Sequence, residues 1–150
     1  MYTLGRILLV EDDPRDVELT LTALEDHKLA NEVTVAHDGQ EALDYLYRRG
    51  QFATRPNDNP AVMLLDLNMP MQNGFDVLAW VRSQPGLKRL AVIILTSSIR
   101  SEDVERAFDL GANSFLVKPS TLEALTAMMR CLCEWISISH FPPLTKPPRK

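Results

Sequence analysis

Short apolar runs alternate along the chain with longer segments of helical periodicity. The fourth run is continuously apolar up to Thr96, which is typical of a strand buried on both faces of a parallel sheet. In the segments that follow the runs, apolar residues recur every three or four positions, as on the buried face of an amphipathic helix. The runs with the length and composition of β-strands lie at residues 7–10, 32–36, 62–66, 92–96 and 114–117.

Signals for helix starts fall where these segments begin. Asp13 is suited to cap a helix whose first position is Pro14, and the Ser-Thr-Leu-Glu sequence at 120–123 fits a capping box. Gly111 is suited to end the fourth helix. The first predicted helix follows Asp13, and the second and third span about 40–49 and about 75–83. The fourth begins at a Ser101 cap, and the fifth begins at the 120–123 capping box.

The alternation of five strands with five helices predicts an α/β fold, in which helices cover both faces of a parallel sheet. Periodicity alone does not give the order of the strands within that sheet. With 150 residues, the chain is long enough to bury a core without disulfides or a structural metal. We therefore expect one domain at residues 1–140, followed by a proline-rich, basic C-terminal tail at residues 141–150.

Composition argues against several classes of protein. The net charge of −4 disfavours nucleic acid as a partner of the domain. No stretch approaches the ~20 apolar residues that a membrane span needs, and the first residues lack the layout of a signal peptide. Cys131 and Cys133 have no His or further Cys at metal-ligand spacing. We interpret them as reduced thiols of a cytoplasmic protein without zinc.

Four of the strands end in polar residues that could act together. Carboxyl ends of parallel strands share one edge of the sheet, where ligands of α/β proteins bind. Carboxylates 4 Å apart repel by ~4 kcal/mol at an effective dielectric of 20, so a cation is needed between them, and an oxygen-only ligand set suits Mg²⁺. Such a site predicts phosphoryl transfer, with a carboxylate nucleophile, a metal, a mobile cation and a hydroxyl donor. The residues concerned are Glu11-Asp12-Asp13, Asp66, Thr96 and Lys118, at the ends of the first, third, fourth and fifth strands.

Each of these features taken singly has a plainer explanation. A lone acid after a strand usually caps a turn or a helix, and Lys-Pro after a strand is usually part of a loop. Two other functions stay open beside a phosphoryl-accepting switch. A Mg²⁺-dependent aspartyl-phosphate phosphatase would also use Asp66, although it would want a second Asp at position 68, where this chain has Asn. A protein-interaction module that is not phosphorylated would bind neither metal nor phosphate.

In their order along the chain, these residues resemble the receiver domain of two-component response regulators. The motifs are Ile-Leu-Leu-Val-Glu-Asp-Asp-Pro, Leu-Leu-Asp-Leu-Asn-Met-Pro followed by Asn-Gly, Ile-Ile-Leu-Thr-Ser, and Phe-Leu-Val-Lys-Pro, and the resemblance covers about residues 5–137. It implies a flavodoxin-like, CheY-like sheet with strand order 2-1-3-4-5. It also implies these roles: Asp66 as phosphoacceptor; Glu11, Asp12, Asp66 and the backbone carbonyl of Asn68 as Mg²⁺ ligands; Lys118 as the catalytic lysine; Thr96 and Phe115 as switch residues; and Pro119 as a cis-proline.

The resemblance also implies partners. Receivers take phosphoryl groups from sensor histidine kinases and catalyse their own phosphorylation and dephosphorylation. The long loop before the third strand and the aromatic-rich last helix are similar to those of stand-alone receivers paired with phytochromes. We therefore expect a single-domain regulator with a phytochrome as its kinase and an unknown protein as its downstream target. A homodimer through the fourth helix, fifth strand and fifth helix is predicted by the apolar residues Trp135, Ile136, Ile138 and Phe141, unless Trp135 and Phe141 fold back onto the chain's own core.

Overall fold

A computed structural model describes residues 6–25, 33–55, 59–69, 73–97, 99–142 and 144 of the chain. Within these residues, strands and helices alternate from the first described residue to Ile138, and a short 3₁₀ turn at Gly50–Phe52 follows the second helix. The elements are β1 (Arg6–Val10), α1 (Pro14–Glu25), β2 (Val33–Ala36), α2 (Gly39–Tyr47), β3 (Pro60–Leu65), α3 (Gly74–Ser83), β4 (Ala91–Thr96), α4 (Ser101–Asp109), β5 (Ser114–Val117) and α5 (Leu122–Ile138).

The strands form one parallel sheet in the order β2-β1-β3-β4-β5. This confirms the α/β class and the strand order that the family resemblance implied. Val10 pairs with both Ala36 and Leu65, and Leu65 pairs with Ile94. Val10, Ala36 and Leu65 are the last residues of their strands and lie level, whereas β4 continues two residues beyond Ile94 to Thr96. The polar residues at the ends of these strands therefore lie along one edge.

Side chains that alternate along each strand build two apolar layers, one on each face of the sheet. The first layer joins Leu8, Leu65 and Ile94 to residues of α2, α3 and α4. The second layer joins Leu9 and Leu64 to residues of α1 and α5. All six residues of β4 are buried, as its continuous apolar run predicted. The sheet is therefore a rigid base for the polar residues at its carboxyl edge.

The observed helix starts agree with the predicted starts to within one or two residues. Asp13 caps α1 as expected, since its Oδ1 accepts the N–H of Arg15 at 2.8 Å. The fourth helix differs, because Ser101 is its first residue and Arg100 holds the cap position without a side-chain bond. In the last helix the cap is Thr121, whose Oγ1 accepts the N–H of Ala124 at 3.1 Å.

The largest departure from the predicted helix faces is in α4. Val104, Ala107 and Phe108 recur at helical spacing, yet Ala107 is the one buried residue of the helix and Phe108 is 48% exposed. The helix covers little of the sheet and leaves apolar surface at its outer side.

Between α5 and the tail, Trp135 meets Phe141 edge to face with ring centroids 5.6 Å apart. Phe141 packs against the second apolar layer, whereas Trp135 keeps 41% of its surface exposed.

None of the helices in the described ranges combines the length and the apolar character needed to cross a lipid bilayer. Of the tail expected at residues 141–150, only residues 141, 142 and 144 lie within the described part of the chain.

Candidate functional site

The predicted charged residues and the predicted threonine lie at the carboxyl edge of the sheet. Glu11 follows β1, Asp66 follows β3, Thr96 ends β4 and Lys118 follows β5. Hydrogen bonds continue the sheet pattern beyond the strands, since Asp66 N donates to Val10 O at 3.1 Å and Lys118 N donates to Thr96 O at 2.8 Å. The backbone therefore holds both the central carboxylate and the lysine in positions set by the sheet.

Three carboxylates meet at this edge. Glu11, Asp12 and Asp66 each offer an oxygen, and these oxygens all lie within 4.8 Å of one another. Glu11 and Asp66 are 2% and 5% exposed, and Asp12 is half-buried. Oxygen-only ligands in a cluster with an open side fit a hard cation such as Mg²⁺, which uses few protein ligands and keeps several waters. The donor set therefore fits the expected metal.

Lys118 is held mainly by residues on the first strand and the first helix. Its Nζ lies 2.6 Å from Glu11 Oε2 and 3.1 Å from Asp16 Oδ2, but 3.9 Å from Asp66 Oδ2. The first two distances are hydrogen bonds, and the third is too long for one. In this structure the lysine thus attracts Asp66 through space while bonding to two other carboxylates.

Asp16 is the site residue that sequence reasoning missed. It stands in the first turn of α1, where an acid is usually explained by the favourable field of the helix N-terminus. The signal that could have found it is position, because a helix that starts at the end of β1 carries its first turn along the same edge as Glu11. The predicted site was assembled from polar residues at the ends of strands, so an acid inside a helix was not included.

The pKa values of Glu11 and Lys118 are both raised, although burial acts in opposite directions on the two groups. The pKa of Glu11 is raised from 4.5 to about 7, chiefly because burial disfavours its charged form, and the negative charge of Asp66 adds to this, while the Lys118 bond opposes it. For Lys118, burial alone would lower the pKa. Its hydrogen bonds to Glu11 and Asp16 and the charges of Asp66 and Glu11 outweigh burial, so the pKa is raised above 10.5 and the lysine stays protonated at neutral pH.

The loop after β3 binds Asp66 closely. Asn68 N donates to Asp66 Oδ1 at 3.2 Å, and Asn68 Nδ2 donates to the Oγ1 of the fully buried Thr96 at 3.2 Å. The start of α3 lies against the same backbone, so a Cβ added to Gly74 would stand 2.3 Å from Asp66 O. Asn73 caps α3 by accepting the N–H of Phe75 at 2.7 Å. Gly74 is therefore required by its close approach to the backbone of Asp66.

Phe115 is placed beside the buried hydroxyl. It pairs with Ile94 in the β4–β5 register, and Thr96 lies two residues beyond Ile94, so all three side chains share one face of the sheet. Phe115 is half-buried against the layer formed with α2 and α3.

The expected cis-proline at Pro119 is not found. All peptide bonds among the described residues are trans, and the Lys118–Pro119 bond is one of them. An X-Pro bond prefers trans by about 0.5–1 kcal/mol unless its surroundings enforce the other isomer, and here the chain runs from Lys118 to the Thr121 cap with that bond in trans. The assignment carried over from the resemblance was wrong at this residue.

Comparison with known proteins gives a consistent result. The model of the response regulator receiver domain matches residues 7–130. Response regulator Rcp1 of Synechocystis is 36% identical over 124 residues, covering 83% of this chain and 83% of that protein. The structure of Rcp1 in its Mn²⁺-bound form has a TM-score of 0.82 and 33% identity, covering 92% of this chain and 99% of the other.

Two further structures are of regulators described as partners of phytochromes. The phosphorylated cyanobacterial phytochrome response regulator RcpA has a TM-score of 0.85 and 35% identity, covering 93% of this chain and 99% of the other. The bacteriophytochrome response regulator RtBRR has a TM-score of 0.75 and 46% identity, covering 97% of this chain and 85% of the other. With the acidic cluster at the expected edge, the site is that of a Mg²⁺-dependent phosphoacceptor domain served by a sensor histidine kinase. The chain belongs to the response regulator receiver domain family.

Proposed function

We propose that Asp66 accepts a phosphoryl group from the phosphohistidine of a sensor kinase, and that the phosphorylated domain signals through a change of its surface. The observation that carries this proposal is the position of Asp66, a buried carboxylate at the central strand end, in reach of two further carboxylates and 3.9 Å from Lys118. A nucleophile in this setting needs little rearrangement to meet a phosphoryl group.

In this proposal Glu11, Asp12, Asp66 and the backbone carbonyl of Asn68 hold Mg²⁺. The bound ion would neutralise the clustered carboxylates and the charge on the phosphoryl oxygens. Lys118 supplies a positive charge beside Asp66, and its raised pKa keeps that charge present at neutral pH. Because Asp66 and Glu11 are almost fully buried, these charges act with little screening by water.

Thr96 and Phe115 are proposed to form the switch. The hydroxyl of Thr96 accepts a hydrogen bond from the Asn68 side-chain amide. A phosphoryl group on Asp66 adds negative charge and strong acceptors close by, which favours a shift of the Thr96 hydroxyl towards it. The space beside Thr96 on the same sheet face then becomes available to Phe115, whose ring is only half-buried.

The kinase is proposed to be a phytochrome. This rests on the names of the relatives RcpA and RtBRR, which are 35% and 46% identical to this chain.

The signal is proposed to leave through the surface of α4, β5 and α5, which also joins two copies of the chain. Phe108, Val117 and Leu122 lie on these three elements and are 48%, 37% and 44% exposed. On α5, Leu122 lines a shallow groove with Glu123 at one end and Arg130 at the other. The two charges are seven residues apart on one helix face. In a two-fold pairing of antiparallel α5 helices, Glu123 of each copy would face Arg130 of the other, as a self-complementary interface requires.

The acceptor assignment predicts that Asp66→Asn abolishes labelling. Radioactive phosphate supplied by an autophosphorylated phytochrome-type kinase, with Mg²⁺, should enter the wild type and Asp109→Asn, which makes the same change at an exposed residue of α4. Asp66→Asn should take up none while its circular dichroism is unchanged. Normal labelling of Asp66→Asn would refute the assignment. Continuous release of phosphate from acetyl phosphate without a labelled protein would favour the phosphatase instead.

The metal site predicts pH-dependent binding of Mg²⁺. Glu11 has a pKa of about 7 in the metal-free site, so below pH 7 it carries a proton that the cation must displace. Affinity measured by titration calorimetry should fall about tenfold from pH 8 to pH 6, since one proton is exchanged per ion. Glu11→Gln should flatten this dependence, whereas the exposed Glu18→Gln should keep it. Asp12→Ala should weaken binding more than Glu11→Ala, because Glu11 already serves Lys118. A flat profile in the wild type would contradict the assignment.

The switch predicts that the ring of Phe115 responds to phosphate through Thr96. In protein labelled with fluorophenylalanine, the ¹⁹F resonance that Phe115→Leu removes should shift when beryllofluoride and Mg²⁺ are added. The shift should survive in Thr96→Ser, which keeps the hydroxyl, and be largely lost in Thr96→Ala. An undiminished shift in Thr96→Ala would remove Thr96 from the mechanism.

The assembly predicts a dimer that depends on paired charges. Sedimentation at tens of micromolar should show a wild-type dimer and a largely monomeric Arg130→Glu variant, in which acids of the two copies would face each other. Combining Glu123→Arg with Arg130→Glu should restore the dimer, because the pairs are re-formed with the signs exchanged. Substitution is preferable to truncation after Glu134, which would also remove the buried Ile136. A monomeric wild type would exclude the interface.

A further inference from the structure

Lys118 is tethered on one side only. Its two hydrogen bonds go to Glu11, at the end of β1, and to Asp16, in the first turn of α1, while Asp66 on the other side stays 3.9 Å away. The side chains of Lys118, Glu11 and Asp16 are 12%, 3% and 37% exposed. The ammonium therefore has two of its three N–H groups committed away from the acceptor.

The two tethers differ in what else they do. Glu11 belongs to the group of three carboxylates that can share a metal ion, and Asp16 lies outside that group. A carboxylate that serves a divalent cation holds a neighbouring ammonium less well, because the two positive charges repel each other. If Glu11 binds a metal ion, Asp16 is thus the one of the two carboxylates that bonds Lys118 without also serving the metal.

Asp16 is also held in place by its helix. Asp13 caps α1 by accepting the N–H of Arg15 at 2.8 Å, and Pro14 sets the backbone of the first turn. Val17 and Thr20, which follow Asp16 in α1, are buried. The Asp16 carboxylate can therefore not follow the lysine towards Asp66, and the lysine has to leave it.

We propose that Asp16 is a positioning residue that competes with the acceptor for Lys118. It draws the ammonium away from Glu11, which leaves Glu11 available to the metal, and it opposes the movement of the ammonium towards a phosphoryl group on Asp66. The inference rests on the proposed function, because it assigns a regulator to the same site. Its consequence is that Asp16 sets how strongly the domain holds its phosphorylated form.

The plainer role of Asp16 is to stabilise the start of α1 by its charge. That role would not depend on Lys118, and its loss would not change the two ligand affinities in opposite directions through the lysine. This difference defines the experiment.

Asp16→Asn should change the two affinities in opposite directions. Its affinity for Mg²⁺, measured by titration calorimetry on the metal-free chain, should fall by about three- to tenfold, because Lys118 then depends on Glu11 alone. Its affinity for beryllofluoride at saturating Mg²⁺ should rise by about the same factor, because the ammonium is released towards Asp66. Glu18→Gln removes the same charge from the exposed side of α1 and should leave both affinities within about twofold of the wild type.

The same substitutions in a Lys118→Met background separate competition from a through-space charge effect. There, Asp16→Asn should change the Mg²⁺ affinity no more than Glu18→Gln does, and this titration does not need beryllofluoride to bind. An effect of undiminished size in that background would overturn the inference, as would a fall of both affinities in Asp16→Asn. If the wild type binds no beryllofluoride at all, the proposed function fails as well, whereas binding by the wild type with no change in Asp16→Asn overturns this inference alone.

Discussion

The site is organised around the burial of two carboxylates beside a single ammonium. Glu11 and Asp66 are almost completely removed from water, and like charges at such distances repel by ~4 kcal/mol at an effective dielectric of 20. Lys118 offsets part of that cost by bonding to Glu11, yet the pKa of Glu11 still rises to about 7. The cluster can therefore form without a metal, and a bound cation would stabilise it by offsetting the repulsion between the carboxylates. This is the physical reason for a site that takes up Mg²⁺ and then an anionic phosphoryl group.

That balance depends on backbone positions set elsewhere in the fold. The parallel register brings the ends of β1 and β3 level, and β4 continues two residues further to Thr96. Hydrogen bonds beyond the strands extend this order to Asp66 and Lys118. On the far side of Asp66, α3 starts so close that Gly74 has no room for a Cβ. The acceptor is thus enclosed by main chain on two sides, and its third side, towards Asn68 and Thr96, is where a phosphoryl group can change contacts.

Much of this could be predicted from the sequence, because strand ends follow from apolar runs and parallel strands end at a common edge. Strand order could not, since periodicity does not encode which strands pair, and it came from the family resemblance. Helix faces follow the apolar spacing more closely in α5, where Leu125 and Met129 are buried although Leu122 is 44% exposed. They were predicted poorly in α4, where the spacing is helical but Phe108 faces outwards.

Interactions between side chains were the hardest to foresee. Asp16 has an adequate local explanation as an acid in a first helical turn, so nothing along the chain reveals that it bonds to a lysine 102 residues away. In the described part of the chain, three carboxylates (Glu11, Asp16 and Asp66) lie within 3.9 Å of this one ammonium, and Asp12 belongs to the same acidic cluster. The excess of negative charge favours a divalent cation, and each added charge changes which acid the lysine can best serve. In the proposed mechanism the acids of the site compete for the single ammonium of Lys118, and their distances from it determine which of them it bonds.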